Sequence, residues 1–197
     1  MMSDGDIPEP SDAEEIRWRA LESDVAAMGE LLRSGSATSE DVDGAFARLM
    51  STDVDGKRYR NVLHVPADAG EHAAAIEAIL RRIPDGWGRW LSVDAGWYPL
   101  VIATDALLAG LDPGYVVHQV KEKFGTLRYY SWPSSEDVAR ETLGAMDAVI
   151  AGAERASAVT CERCGATGFL HQAVRGWMKT LCASCAVTLG YVPAQPT

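Results

Sequence analysis

Cys161-Glu-Arg-Cys164 and Cys182-Ala-Ser-Cys185 are two CxxC pairs separated by seventeen residues, and they contain all four cysteines of the chain. Each pair can present two thiolates to one metal ion from a single turn of the backbone. Two such turns supply the four tetrahedral ligands of a closed structural zinc site. The spacing therefore predicts one structural zinc ion as the cofactor, bound by Cys161, Cys164, Cys182 and Cys185.

The residues around the cysteines predict a treble-clef-like zinc finger over residues 159–190. Gly165 follows the first pair, where a metal-binding turn needs a residue free to adopt positive φ. Apolar runs on either side of Arg175-Gly176 predict a short hairpin, and the second pair begins a helix that Gly190 ends. Because the finger follows a predicted helix within a few residues, we expect it to pack on the core.

Other roles for the cysteines are weighed against zinc. Two disulfides would suit a secreted protein, but the chain begins with an acidic, proline-containing segment that lacks an apolar signal core. A redox CxxC would not explain the second pair, and a catalytic metal needs an open coordination position that four thiolates normally do not leave. We therefore expect a reducing, cytoplasmic location.

The length and charge of the chain limit the class of protein to which it can belong. The 197 residues suffice for one ordinary core with a small appended module, and no apolar stretch approaches the about 18 residues of a membrane span. The net charge is −10, with 10 Lys/Arg and 21 Asp/Glu in residues 1–113 against 8 and 7 in residues 114–197. This balance disfavours non-specific nucleic-acid binding, which needs a dense positive field, and favours a protein partner or a small ligand.

Hydrophobic periodicity and turn signals predict an α+β protein with a helical N-terminal part and a central β-hairpin with flanking helices. Ser11 and Glu14 form a capping box that begins the first helix, and Ser39 caps the second. The predicted divisions are a disordered tail (1–10), a helical region (11–55), an α+β core (56–158) and the finger (159–190). The elements predicted within the core are a strand (59–65), helices (69–83, 99–111 and 136–157) and the hairpin (115–132).

The hairpin is the candidate ligand-binding surface. Within residues 119–132, cations and aromatic side chains are spaced so that some share a face of a strand. A basic and aromatic sheet face can stack bases and hold phosphates, whereas the alternative is a solvated strand face backed by an aromatic core. The residues nominated for ligand binding are Lys121, Lys123, Arg128, Tyr130 and Trp97.

Tryptophan and histidine supply the remaining candidates. Trp87, Trp90, Trp97 and Trp177 could line a pocket, fill a core or form a homo-oligomer interface. His118 with Glu122 and Asp94 is the set best suited to acid–base chemistry, and His171 is a second candidate base. Because the chain has no P-loop, GxGxxG after a strand, GxSxG or HExxH motif, we assign no catalytic residue.

Four segments of the chain resemble a family of proteins. They are Asp94-Ala-Gly-Trp-Tyr-Pro-Leu100, Gln119-Val-Lys-Glu-Lys-Phe-Gly-Thr-Leu-Arg-Tyr-Tyr130, Cys161-x-x-Cys-Gly165 and Gly176-Trp-Met-Lys-Thr-Leu-Cys182. Their order and spacing resemble uncharacterised bacterial and phage proteins with a GW–QVKEKFG–CxxCG–GWxxTLC pattern. The resemblance covers roughly residues 86–190 and implies a shared fold with a zinc finger, but no activity.

Three functions follow from these observations. The favoured one is a zinc-stabilised, non-enzymatic binding or adaptor protein, with a phage-related setting implied by the resemblance. The first alternative is a specific nucleic-acid or nucleotide binder that uses the basic and aromatic hairpin 119–132. The second is a nucleotide-directed hydrolase, which needs His118 or His171 within reach of a carboxylate.

Overall fold

Two helices begin the part of the chain that the computed structural model describes, residues 7–195. Helix α1 (Asp12–Ser34) starts with the predicted capping box, in which the Glu14 carboxylate accepts from the N–H and hydroxyl of Ser11, both at 2.8 Å. Gly35 ends it at φ 75°. Helix α2 (Ser39–Ser51) is capped by Thr38, one residue before the predicted cap, and Thr38 and Asp41 form a second capping box.

The tail predicted over residues 1–10 lies partly outside the described residues. Residues 7–10 form neither helix nor strand. The carbonyl of Glu9 accepts from the Arg58 guanidinium at 2.8 Å, and the same guanidinium pairs with Glu14 at 3.0 Å. These contacts attach the start of α1 to the short helix over residues 56–61.

The strand predicted over residues 59–65 is wrong, because a short helix occupies its first half. Helix α3 (Gly56–Asn61) begins at Asp55, whose carboxylate accepts from the N–H groups of Lys57 and Arg58. A side chain that satisfies the free N–H groups of a first turn favours helix there. Residues 62–65 then run irregularly, and the His64 N–H donates to the carbonyl of Arg89.

Three helices surround the main core. They are α4 (Ala73–Arg81), which a 3₁₀ turn at Gly70–His72 precedes, α5 (Tyr98–Leu111), and α6 (Arg140–Ser157), which starts four residues later than predicted. Within the described residues, no helix is both long and apolar enough to cross a membrane. The core that they share is made chiefly by Ile76, Leu80, Trp97, Val101, Leu108, Val117, Val120 and Leu127.

The predicted hairpin is confirmed as the centre of the first sheet. Strand β1 (Leu91–Ser92) pairs in parallel with β2 (Val116–Lys123), which pairs antiparallel with β3 (Thr126–Trp132). The two-residue turn has positive φ at both Phe124 and Gly125, as a type I′ hairpin turn requires. Buried side chains from β2 and β3 face α5 and α6, so the other face of the hairpin remains available to solvent.

The C-terminal segment forms a second small sheet and one short helix. Strand β4 (Phe169–Gln172) pairs antiparallel with β5 (Met178–Leu181), helix α7 (Ala183–Leu189) follows, and β6 (Val192–Pro193) pairs with the other edge of β4. Cys161, Leu181, Ala186 and Tyr191 form a separate buried cluster beneath it. The hairpin and helix of this segment were predicted, whereas β1 and β6 were not.

Candidate metal centre

The four cysteine sulfurs come together as the CxxC spacing predicts. All four Sγ atoms lie within 4.8 Å of one another, the Cys164 and Cys182 sulfurs are 3.6 Å apart, and none is in a disulfide. Four sulfurs at about 2.3 Å from a tetrahedral zinc would be about 3.8 Å from each other. The cluster could therefore hold a metal ion, and its donor set of four thiols fits a closed site.

The first CxxC turn owes its shape to backbone hydrogen bonds. The Gly165 N–H donates to the carbonyl of Cys161 at 2.9 Å, and the Cys161 N–H donates to the carbonyl of Ala166 at 2.7 Å. Gly165 has φ 77°, a conformation that a residue with a Cβ rarely adopts. The turn thereby directs the sulfurs of Cys161 and Cys164 to one point.

The second pair lies at the start of α7. Cys182 is the N-cap of the helix and Cys185 is its third residue, so both sulfurs project from the first turn. The hydroxyl of Ser184, 3.2 Å from the Cys182 sulfur, lowers the pKa of that thiol to about 6. Burial raises the pKa of the Cys185 thiol to about 12. A metal bound here would hold both as thiolates.

The core touches the metal centre directly, at a glycine. A Cβ atom built on Gly96 would lie closer than 3.0 Å to backbone atoms of Cys161, Cys164 and Gly165, a separation that real Cβ atoms essentially never show. The neighbouring Trp97 indole N–H donates to the carbonyl of Thr160 at 2.8 Å. The first CxxC turn therefore packs against the turn that precedes α5.

An ion cluster that the sequence did not predict lies beside the same turn. The Lys179 ammonium contacts the carboxylates of Glu162 at 2.6 Å and Asp94 at 3.0 Å. Glu162, inside the first CxxC pair, is 1% exposed, and burial raises its pKa to about 7 against the attraction of Lys179. Burial alone would lower the pKa of Lys179, but the two carboxylates outweigh it and raise that pKa. These contacts link β5, the CxxC turn and the core.

Of the residues nominated for ligand binding, Lys121, Lys123, Arg128 and Tyr130 lie on the hairpin, where Lys121 is directly opposite Arg128, whereas Trp97 does not. Lys121 lies over the Tyr130 ring, 5.5 Å from its centroid, on the open face of the hairpin, and Lys123 lies near Phe124 at the turn. Arg128 is paired with Glu154 at 2.6 Å. Trp97 is completely buried, so it has no surface to offer a ligand beside these cations.

An exposed aromatic strip near the same hairpin was not predicted. The His118 ring lies between those of Trp87, at 4.3 Å, and Trp132, at 5.0 Å and nearly parallel. Both tryptophans are exposed, and burial of the imidazole between them lowers the pKa of His118. The sequence offers one signal for this strip, the period-2 spacing of Tyr130 and Trp132, which places both on one face of β3. Trp87 joins the strip only through the folded loop between α4 and β1, which the sequence does not predict.

The tryptophans nominated as a pocket are dispersed. Trp97 is in the core, Trp177 is exposed in the turn just before β5, and Trp87 belongs to the aromatic strip. Trp90 instead lines a cleft of about 610 Å³ between α1 and residues 59–67, where it meets Tyr59 and His64. The buried Trp18 of α1 packs edge-on to Tyr59 in this cleft, so these rings attach α1 to the core.

The two histidines nominated as bases, His118 and His171, have no carboxylate partner within residues 7–195 of the kind that a hydrolase would need. Among the described residues, neither His118 nor His171 forms a hydrogen bond or ion pair with an acid. His171 is buried, and its Nδ1 lies 2.8 Å from the carbonyl oxygen of Phe169. The Glu122 carboxylate accepts from the Gly125 N–H in the hairpin turn. The set His118, Glu122 and Asp94 is therefore not assembled as an acid–base site.

A groove on the N-terminal helices is lined almost wholly by apolar side chains. This α1–α2 groove has a volume of about 330 Å³. Phe46 on α2 is 62% exposed and Val25 on α1 is 57% exposed, which is unusual for large apolar side chains that lie side by side. The main lining residues are Val25, Met28, Leu32, Val42, Phe46 and Leu49.

Comparison with known proteins gives no relative. No protein-family model matches the chain, and neither the curated proteins nor the solved structures include a match.

Proposed function

We propose that the chain is a non-enzymatic binding or adaptor protein whose C-terminal third is held together by one structural zinc ion. Four thiol donors at tetrahedral spacing suit zinc and leave no coordination position open for a substrate. The arrangement of turn, hairpin and helix that carries them is that of a treble-clef-like finger. Four free cysteines suit the reducing cytoplasm, and the family resemblance adds a phage-related setting to the proposal.

The observation that carries the binding role is the exposed α1–α2 groove. Exposed contiguous apolar surface that is rimmed by polar residues often marks a binding site. The C-cap of α1 lies beside the finger, since a Cβ on Gly35 would be 3.7 Å from the side chains of Val174 and Arg175. A zinc-stabilised finger would therefore support one end of the groove, and a preorganised groove binds its partner more tightly.

Native mass spectrometry of the protein, gently purified from its own host, tests this proposal. We expect one zinc ion per chain and a retained protein partner, whose mass is absent from the spectrum of a Phe46→Ser variant. Chelation is expected to remove the zinc and unfold the C-terminal third, because the binding free energy of a structural zinc contributes to folding. A folded chain without metal, or a retained small molecule in place of a protein, would contradict the proposal.

The exposed aromatic strip supports a second candidate function, the specific binding of single-stranded nucleic acid or of a nucleotide. Trp87, His118 and Trp132 present ring faces on which bases can stack, and Lys121 lies nearby over Tyr130. Stacking on aromatic rings contributes about 1–3 kcal/mol per base. The net charge of −10 means that such binding would depend on stacking more than on a general positive field.

A further inference from the structure

Helices α1 and α2 leave their shared apolar face uncovered within the described protein. In α1, which is described in full, Trp18 is the one buried residue, and in α2, Ser39–Ser51, none is buried. The short connection over residues 35–38 folds the helices into a hairpin, and Asp24 is the one charged residue that lines the α1–α2 groove. An apolar face that two packed helices leave exposed can be buried by a third element, as in a helical bundle.

The dimensions of the α1–α2 groove suit one helix. On α2 it extends from Val42 to Leu49, which is about two turns, or about 10 Å, of α-helix. A helix laid into such a groove contributes apolar side chains at positions i, i+3 or i+4, and i+7. A third helix would complete a three-helix unit and cover Phe46 and Val25.

The net charge of α1 and α2 indicates which class of helix fits the groove. Residues 12–51 contain 4 Arg and 9 Asp/Glu, a net charge of −5. Asp24 lies in the groove and is paired with the exposed Arg48 at 3.3 Å, and Asp43 is one helical turn from Phe46 on α2. A second copy of the chain would bring a second net charge of −5 to the same surface, which is unfavourable.

We propose that the α1–α2 groove binds one basic amphipathic helix of a partner protein. The apolar stripe of that helix fills the groove, and Lys or Arg residues on its flanks face the acidic residues of α1 and α2. This inference rests on the proposed binding function and names its partner class.

Fluorescence anisotropy with three synthetic helical peptides of about 18 residues, five turns, tests the inference on the full, zinc-loaded chain. The first peptide has a leucine stripe flanked by lysines, the second has glutamates in place of the lysines, and the third has the composition of the first without a stripe. We expect the first to bind at least tenfold more tightly than the other two. Sedimentation velocity on the same samples reports the oligomeric state.

Substitutions at exposed residues locate the binding site without removing a buried contact of the fold. Phe46→Ser and Val25→Ser each remove an apolar contact without changing charge, and each is expected to weaken the first peptide about tenfold. Leu107→Ser is the matched control, because Leu107 is 58% exposed on α5 and outside the groove. Asp43→Asn is expected to weaken binding several-fold at low salt and less at high salt.

Three results would overturn the inference. They are equal binding of the lysine and glutamate peptides, unchanged affinity in both serine variants, and a dimer that Phe46→Ser dissociates. The last result would show that a second copy covers the groove. If the peptide tests fail, the proposed binding function can still hold. Native mass spectrometry measures the zinc count, and the retention of a partner other than a basic helix, independently of the peptides.

Discussion

Gly96 and Cys161 are in direct backbone contact, and this contact joins the core to the metal centre. A Cβ atom at Gly96 would lie within 3.0 Å of the Cys161 carbonyl oxygen and of the Cys164 amide nitrogen. The residue after Gly96 is the buried Trp97, which donates a hydrogen bond to Thr160. Backbone atoms cannot yield to a methyl group as the end of a flexible side chain can, so the first CxxC turn and the core are positioned together.

Gly96→Ala is therefore expected to destabilise the protein by about 1–3 kcal/mol, the usual effect of overpacking. Urea unfolding of the zinc-loaded protein measures the change. Gly110→Ala is the matched control, because a Cβ on Gly110 in α5 would meet nothing within 4 Å and alanine favours a helix by about 1 kcal/mol over glycine. Equal stability of the two variants would show that Gly96 does not limit the packing.

The buried ion cluster gives a second prediction. Lys179→Met removes the cation of the buried Glu162 carboxyl, and removing one partner of a buried pair costs at most about 3–5 kcal/mol, less where the carboxyl takes up a proton. Adding Glu162→Gln to Lys179→Met is expected to restore part of this loss, which urea unfolding would measure. Arg19→Met is the control, since Arg19 pairs with Glu15 at the surface and such pairs contribute at most about 1 kcal/mol. No recovery in the double variant would refute the pairing.

The lowered pKa of the Asp112 carboxyl is expected to make the free energy of unfolding depend on pH. Burial acts to raise its pKa, but hydrogen bonds from the N–H groups of Ser134, at 2.6 Å, and Gly114, at 3.3 Å, outweigh burial and lower that pKa. A carboxyl whose folded pKa lies below its unfolded pKa of about 3.9 stabilises the fold above that value. This contribution is lost as the pH falls through the folded pKa.

The measurement for Asp112 is the difference in unfolding free energy between wild type and Asp112→Asn. We expect a loss of about 1 kcal/mol at pH 7 that shrinks towards pH 3. Both proteins carry the same cysteines, so the acid lability of a metal centre affects them alike. A difference that stays constant or grows as the pH falls would contradict the assignment.

The second candidate function predicts a specific effect of the exposed tryptophans. If bases stack on the aromatic strip, Trp132→Ala and Trp87→Ala each weaken binding of a single-stranded oligonucleotide by about 1–3 kcal/mol. Titration monitored by tryptophan fluorescence measures the affinity. Trp177→Ala is the control, since Trp177 is exposed in the turn just before β5 and lies outside the strip. Equal affinity in all three variants would eliminate this function.

Local signals predicted the elements that short-range contacts determine. The CxxC spacing predicted the cysteine cluster, Ser11 and Glu14 predicted the start of α1, and the alternation around Phe124-Gly125 predicted the hairpin. In each case, the decisive hydrogen bond or pair lies within a few residues or within one hairpin. The strand predicted at residues 59–65 is wrong because the Asp55 carboxylate caps a helix there. The apolar residues of this segment indicate a strand but carry no information about that cap.

Long-range contacts account for what the sequence did not predict. Asp94, Glu162 and Lys179 lie far apart in the chain and meet only when β5 and the first CxxC turn pack on the core. Glu162, the acidic residue inside the first CxxC pair, is the signal that the sequence offers. The sequence does not identify Lys179 as its partner. Trp97 is nominated as a ligand-binding residue because its neighbours are glycine-rich and aromatic. In the structure, the neighbouring Gly96 allows Trp97 to pack in the core.

X-ray absorption at the zinc edge tests the central claim, that four cysteines hold one zinc ion, most directly. The purified protein is expected to show a first shell of four sulfur atoms at about 2.3 Å from the metal. Cys182→Ser is expected to lose the zinc or to show three sulfurs. A wild-type shell with nitrogen or oxygen ligands, or with fewer than four sulfurs, would contradict the closed four-cysteine centre.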